Sequence, residues 1–312
     1  MTGPDISVVI ATHHRGDEVR AALRSVAAQG TGDPSIEVIV VFDQEAPDPR
    51  ILDEFAGLPL RLLTNERTPG LAGARNTGAA HAGGTYLAWL DDDDRWLPGK
   101  LAAQLRSFRE DGAVGVVTTG VVLRHETGRM RRSVPDPDLS FLGLVRERST
   151  FATHPSSTMV RRETFAAVGP VDEAIPGSYG EDYDWLLRAA RVTSIRHLPA
   201  PFVEVAWSRQ SHYSERWPIQ AGSWTYLLAK HPELDAVPLA SARVHAQRAF
   251  ALVGSGERAR AGADLRHATG QALRCPRAGR VWARVLLGWL AWAGLVRPAW
   301  LLHRLRRRGR GF

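Results

Sequence analysis

An apolar run, Tyr86-Leu-Ala-Trp-Leu90, ends in four consecutive aspartates, Asp91 to Asp94, and Arg95-Trp-Leu-Pro98 follows. The run reads as a buried strand, and Leu101 to Glu110 behind the aspartates reads as a helix. A strand that delivers carboxylates to a strand–helix junction marks the mouth of an open α/β sheet, where ligands bind. Carboxylates at this density repel one another unless positive charge stands among them. A hard divalent cation, bound through oxygen and carrying a phosphate, suits the cluster. An acidic, solvated turn is the plainer alternative.

The segments before the aspartates alternate in period. Ile6-Ser-Val-Val-Ile10 is a β-branched run suited to a buried parallel strand. Asp17 to Gln29 carries Val19, Leu23 and Val26 at helical spacing, and Gly30 and Gly32 end it. Glu37 to Phe42 is a second strand closing on Asp43, Ile51 to Phe55 a short helix, and Leu60 to Leu63 a third strand. Gly70 to His81 is glycine-rich with a helical second half, and Thr85 to Leu90 is the strand before the aspartates. This β-α-β-α-β order predicts an α/β fold with an open, mostly parallel sheet.

Further on, Ala113 to Leu123, Ser156 to Val160 and Ser194 to Val205 read as extended chain. Residues 124 to 138 read as a loop or small hairpin, and Arg162 to Val168 and Glu181 to Arg191 as helices. Beyond Trp217 the pattern is helical: Ala221 to Lys230, Ala240 to Val253, Arg258 to Leu273, Val281 to Val296 and Ala299 to Arg308, with a helical hairpin turning at Gly254-Ser-Gly256. The expected division is an α/β domain over 1–216 and an α-helical region over 217–312 with a basic amphipathic tail.

Charge sharpens that division. The chain is +7, but residues 257 to 312 hold 13 arginines against two acidic residues, so the rest is slightly acidic. No even basic surface for nucleic acid is indicated; a basic tail beside an apolar helix suits an anionic membrane surface. The lone Cys275 permits no internal disulfide, which fits a reducing cytoplasm. The N-terminus has no basic region ahead of an apolar one, so no signal peptide is expected. A cytoplasmic protein, peripheral at the inner face of the cell membrane, is the expectation.

The ordered set of motifs is more specific than any one of them. Ser7 to Arg15, Glu37 to Asp43, Gly70-Leu-Ala-Gly-Ala-Arg-Asn-Thr-Gly78, Leu90 to Pro98, Gly169-Pro-Val-Asp-Glu173 and Gly180-Glu-Asp-Tyr-Asp-Trp-Leu-Leu-Arg188 occur in sequence. Over about residues 5 to 215 the chain resembles the inverting family 2 glycosyltransferases, which have the GT-A fold. It departs from their pattern at Ala11, His13, His14 and Phe42, positions that touch the nucleobase pocket. The base and sugar of the donor therefore stay open.

The resemblance implies a nucleotide-diphospho-sugar donor, a saccharide or lipid-linked acceptor, and Mg²⁺ or Mn²⁺ as cofactor. It implies Asp182 as general base, and Asp93 with Asp91 as metal ligands. Thr12, His13, Arg15, Asp43, Arg75 and Asp92 are the implied nucleotide-sugar residues. Glu181, Asp94, Trp185 and His212 stand on the acceptor side or behind the first ligands. A carboxylate at Asp182 would take the acceptor's proton as its hydroxyl attacks, although acidic residues also favour the first turn of a helix. Arg75 suits a phosphate or the aspartate cluster itself.

Several features have plainer readings. His154, His197 and His212 lack a zinc spacing and read as ordinary histidines before ligands. Trp185 reads as core before sugar platform, and Trp207 and Tyr213 as packing. Val285 to Val296 lacks charge but is too short to span a bilayer; it reads as a buried helix, or else as an interfacial one inserting Trp282, Trp289 and Trp292. A nucleotidyltransferase or metal-dependent phosphatase on a similar sheet, and a non-catalytic binding protein, are the rival functions.

Overall fold

The computed structural model describes residues 4–30, 34–125, 128–134, 136–146, 154–207 and 216–298. β1 (Ile6–Thr12) is buried at every position, as a central strand covered on both faces must be. α1 (Gly16–Ala27) turns Val19, Ala22, Leu23 and Val26 inward and carries Asp17 and Glu18 in its first turn. β2 (Ile36–Phe42), α2 (Arg50–Glu54), β3 (Leu60–Thr64), α3 (Leu71–Ala80) and β4 (Tyr86–Asp91) complete the alternation. β1 pairs parallel with β2 and β4, and β2 parallel with β3. α3 lies close on this sheet because Gly78 has no side chain: a Cβ there would stand 2.3 Å from a methyl of Val9.

β5 (Arg95–Trp96), α4 (Lys100–Glu110), β6 (Val114–His125), β7 (Gly128–Arg132), α5 (Phe141–Arg146), β8 (Met159–Arg161), α6 (Arg162–Val168), α7 (Glu181–Ala189) and β9 (Ser194–Ala206) follow. Among the described residues the sheet runs β3-β2-β1-β4-β8-β6-β9-β5, with β7 pairing β6 at the side. β8 is antiparallel to both β4 and β6, so the first half of the sheet is parallel and the second mixed. The expected α/β architecture with a GT-A-like sheet is present.

The differences from the sequence reading have local causes. Ser156 and Ser157 are not strand: Pro155 starts a 3-10 turn over Pro155–Ser157, and the strand begins only at Met159. Of the two readings of 124–138, the small hairpin holds: β6 pairs antiparallel with β7. β5 was hidden in a polar motif and exists because β9 pairs with it. α5 was not foreseen; its six residues bury only Leu144 and Val145.

α8 (Trp217–Lys230), α9 (Glu233–Ala236), α10 (Pro238–Gly254), α11 (Arg258–Leu273) and α12 (Gly279–Trp292) form the helical region. α10 and α11 make the expected hairpin at Gly254-Ser-Gly256. α12 stops earlier than expected, where Gly294 takes φ 79°. The expected helix from Ala299 to Arg308 lies outside the described residues.

One core lies beneath α1 and α4, joining Ile10, Leu23, Val40, Leu90, Leu101 and Phe108. A second lies on the opposite face and joins Trp89, Trp185 and Leu187 to Trp224, Leu227, Leu234 and Val244 from the helical region. α8 and α10 therefore close one face of the sheet. Arg243 of α10 donates to the Val145 carbonyl at 3.1 Å, tying α10 to α5.

Candidate active site

The parallel register sets Thr12 beside Phe42 and Ala11 beside Asp91, so β1, β2 and β4 end together. Their C-terminal ends carry Thr12, Asp43 and Asp91 to one mouth. Thr12 Oγ1 donates to Asp92 at 2.9 Å. Arg15 lies 2.9 Å from an Asp92 oxygen and 3.0 Å from an Asp93 oxygen.

Asp94 is the anchored member of the run. Its two oxygens accept from Ser156 Oγ at 2.6 Å and from the Ala206 N–H at 3.0 Å. Ser156 Oγ also accepts from the Asp91 N–H at 3.0 Å. The antiparallel pairing of β8 with β4 brings the Pro155–Ser157 turn to this position, and His154 comes with it. His154 Nδ1 lies 3.3 Å from Asp94, and Nε2 lies 3.9 Å from Asp91.

Arg75 joins the cluster to α7. Its two terminal nitrogens lie 2.5 Å from Asp91 and 2.5 Å from Glu181, and the side chain is 5% exposed. Asp182, the next residue, is half-buried and accepts from the Tyr183 N–H. The aspartate run and the first turn of α7 thus face each other across one buried guanidinium.

The electrostatics show excess negative charge. Burial pushes Asp94 up to about 7, helped by Asp93 and Asp91 against the pull of His154. Burial pushes Asp92 up to about 6 against Arg15, and Glu181 up to about 7 against Arg75. Asp93 is raised by burial and by Asp91. Asp91 alone is lowered: burial opposes this, but Arg75 and His154 outweigh it. His154 is raised by Asp94 and Asp91 despite burial. Crowded carboxyl groups that resist ionisation are those that a bound cation would ionise. Asp91, Asp94 and His154 offer ligand atoms within 4.8 Å of one another. Asp93 is outside that trio and faces the mouth, 39% exposed, against Arg15. Oxygen donors with one imidazole fit a divalent cation such as Mn²⁺, or Mg²⁺ where oxygens alone are used.

At the end of β2, Asp43 accepts from Asn65 Nδ2 at 2.8 Å and from the Gly70 N–H and Gln44 Nε2, each at 3.0 Å. Burial opposes ionisation here, but these donors outweigh it and lower the pKa. A cleft of about 480 Å³, lined by Asp43, Gln44, Glu45, Asn65 and Arg67 among others, opens beside it. His13 is exposed, with Nδ1 2.7 Å from the Asp43 carbonyl and its ring 4.2 Å from that of His14.

Trp185 does not reach the mouth: it is 4% exposed, packs on Trp89 and Phe165, and donates its N–H to the Gly169 carbonyl. An acceptor contact by Trp185 is corrected to a core position. His197 is buried elsewhere, between Thr118 and Ser133. His212 and Tyr213 lie outside the described residues. Sequence reasoning missed Ser156 and undervalued His154. Their one signal is a polar His-Pro-Ser-Ser run before a strand, with nothing to say which strand it meets.

The family model Glycosyl transferase family 2 matches residues 7–169. The chain is 34% identical over 101 residues to the Escherichia coli protein named UDP-Glc:alpha-D-GlcNAc-diphosphoundecaprenol beta-1,3-glucosyltransferase WfgD, covering 32% of this chain and 39% of that one. It is 27% identical over 204 residues to the uncharacterized glycosyltransferase YwdF of Bacillus subtilis, covering 65% and 74%. Among solved structures, S. aureus TarS 1-349 in complex with UDP-GlcNAc superposes with TM-score 0.59 at 15% identity, over 99% of this chain and 93% of that one. The mannosyltransferase PcManGT from Pyrobaculum calidifontis, in complex with GDP-Man and Mn²⁺, gives TM-score 0.57 at 19% identity, over 98% and 86%. The structures establish the shared fold, and the chain belongs to glycosyl transferase family 2.

Proposed function

We propose that this family 2 member transfers a sugar from a UDP- or dTDP-sugar to a hydroxyl of a saccharide or lipid-linked acceptor, with inversion and with Asp182 as general base. The observation that carries the reading is Arg75, which bridges Asp91 and Glu181. It ties the turn that carries Asp182 to the aspartate run, which supports a base on one side and a cation on the other. The UDP-Glc and diphosphoundecaprenol in WfgD's name support the donor and acceptor classes.

The cleft beside Asp43 would take the base, with a free lone pair of that carboxylate accepting the imide hydrogen of uracil or thymine. Thr12 and Asp92 would face the ribose. Arg15, released from Asp93, would meet a phosphate oxygen. Asp93 and Asp91 would hold the divalent cation, with His154 behind them and Asp94 kept in place by Ser156 and Ala206. When bound, the cation supplies positive charge that stabilises the leaving diphosphate. Asp182 would accept the acceptor's proton while the hydroxyl oxygen bonds to the anomeric carbon. The carbon–phosphate-oxygen bond breaks on the opposite face, which inverts the configuration.

The C-terminal region would meet an anionic membrane surface where a lipid-linked acceptor resides. Among the described residues no helix is long and apolar enough to cross a membrane. Trp289 and Trp292 do not support insertion: the N–H of Trp289 is given to Thr269 and that of Trp292 to the Arg258 carbonyl. The contact would instead be electrostatic, through arginines 304 and 306 to 308. Unchanged co-sedimentation with anionic liposomes after replacing those four by alanine would remove it.

The deciding experiment is Asp182→Asn, with donor binding and turnover measured separately. Transfer should fall by about 10²-fold or more, the usual worth of a general base, while UDP-sugar affinity is kept. Near-normal turnover would overturn the assignment.

A further inference from the structure

Away from the mouth, α9, α10 and α11 bring together Asp235, His245 and His267, whose ligand atoms lie within 4.8 Å of one another. Asp235 Oδ1 lies 3.2 Å from His245 Nε2 and 3.1 Å from His267 Nε2. Ser241 Oγ stands 2.6 Å from the same oxygen and 2.9 Å from His267 Nε2. One carboxylate oxygen is therefore shared by two imidazoles and a hydroxyl. In a tetrahedral site with bonds of about 2.0–2.1 Å, neighbouring ligand atoms stand roughly 3.3 Å apart, close to the two histidine–aspartate separations here.

The second ring nitrogen of His245 decides between readings. Its Nδ1 lies 2.9 Å from Asp264 Oδ1, with an Arg248 guanidinium nitrogen farther off at 3.5 Å, so the nearest partner of each nitrogen of this buried ring is a carboxylate oxygen. A neutral imidazole has one N–H and one lone pair. Donating Nδ1–H to Asp264 leaves the Nε2 lone pair aimed at Asp235, which is repulsive unless a cation lies between them. Metal-binding histidines commonly give their other N–H to a carboxylate in this way. Arg248 in turn holds Asp264, at 2.5 and 2.6 Å.

We propose that Asp235, His245 and His267 bind a divalent transition-metal ion of the zinc type, oriented by Asp264, as a clasp across α9, α10 and α11. Water would complete the coordination, with Ser241 donating to the Asp235 carboxylate. The two nitrogens and one oxygen suit Zn²⁺ or Co²⁺ rather than Mg²⁺. The site is separate from the sugar-transfer reading, and its test reads metal rather than turnover.

The test uses the full chain, stripped with EDTA and titrated with Co²⁺, followed by visible absorption and by melting temperature. Wild type should show tetrahedral-type Co²⁺ bands and a metal-dependent rise in Tm. Both should persist in Asp91→Asn, which disables the cation site at the mouth, and both should vanish when His267→Ala is added to Asp91→Asn. Asp235→Asn is a second variant with the same expected loss, should His267→Ala fold poorly by circular dichroism. Asp264→Asn should weaken the affinity roughly 10–100-fold. No such bands in wild type, or bands unaltered in His267→Ala and Asp235→Asn, would overturn the proposal.

Discussion

Replacing Arg75 by methionine tests the pivot of the proposed site. The residue is 4% exposed, and its nitrogens lie 2.5 Å from Asp91 and from Glu181, itself 4% exposed. Methionine fills much of the same volume but leaves two buried carboxyl groups without their cation. Removing one partner of a buried pair costs about 3–5 kcal/mol. For a chain of this size that lowers Tm by roughly 5–8 °C. The loss should depend on pH. Glu181 is already pushed up to about 7, above its unfolded value, so its contribution is present at low pH and lost as pH rises through 7. Without Arg75 its pKa rises further, and the deficit of Arg75→Met should be larger at pH 8 than at pH 5.5. Adding Glu181→Gln should recover part of the loss, because a neutral amide needs no counter-charge. Urea unfolding in EDTA at the two pH values measures all three quantities. A deficit under about 1 kcal/mol, the range of exposed pairs, or one independent of pH, would refute the reasoning.

Two further outcomes follow from the packing. Asp184 is fully buried and is held at about 2 because burial is outweighed by His231, Lys230 and Arg188. Its folded pKa lies below the unfolded value, so about 2–3 kcal/mol of stability is present above pH 4 and lost as pH falls towards 2; Asp184→Asn should flatten that limb of an acid-denaturation curve. A Cβ at Gly73 would stand 1.9 Å from the Thr68 carbonyl oxygen, whereas one at Gly270, inside α11, meets nothing within 4 Å. Gly73→Ala should cost about 1–3 kcal/mol and Gly270→Ala should add about 0.5–1 kcal/mol, which paired thermal melts would read directly; equal effects would contradict the geometry.

Much of the architecture is local and could be read from the chain. The β-branched run of β1 and the helical spacing of Val19, Leu23 and Val26 express the 2.0 and 3.6 periods that burial on a sheet or under a helix imposes. The 3-10 turn at Pro155–Ser157 and the strand at Arg95–Trp96 were not legible. The first follows from a proline in an otherwise strand-like run, and the second exists only because β9 pairs with it.

The aspartate run, the Ala-Arg-Asn segment and the Glu-Asp pair identified the family and its set of candidate residues from sequence alone, because covalent spacing keeps each motif together. Which side chains meet was decided by tertiary structure. Arg75 and Glu181 are 106 positions apart, and Ser156 and Asp94 are 62 apart. His154 sits beside Asp91 only because β8 runs antiparallel to β4. His245 and His267 meet only because α10 and α11 fold back on each other at Gly254 to Gly256. Periodicity records which face of an element is buried but not the register between elements. Charge pairing falls off over a few ångströms and follows that register, so the site became visible only when the strands and helices were in place.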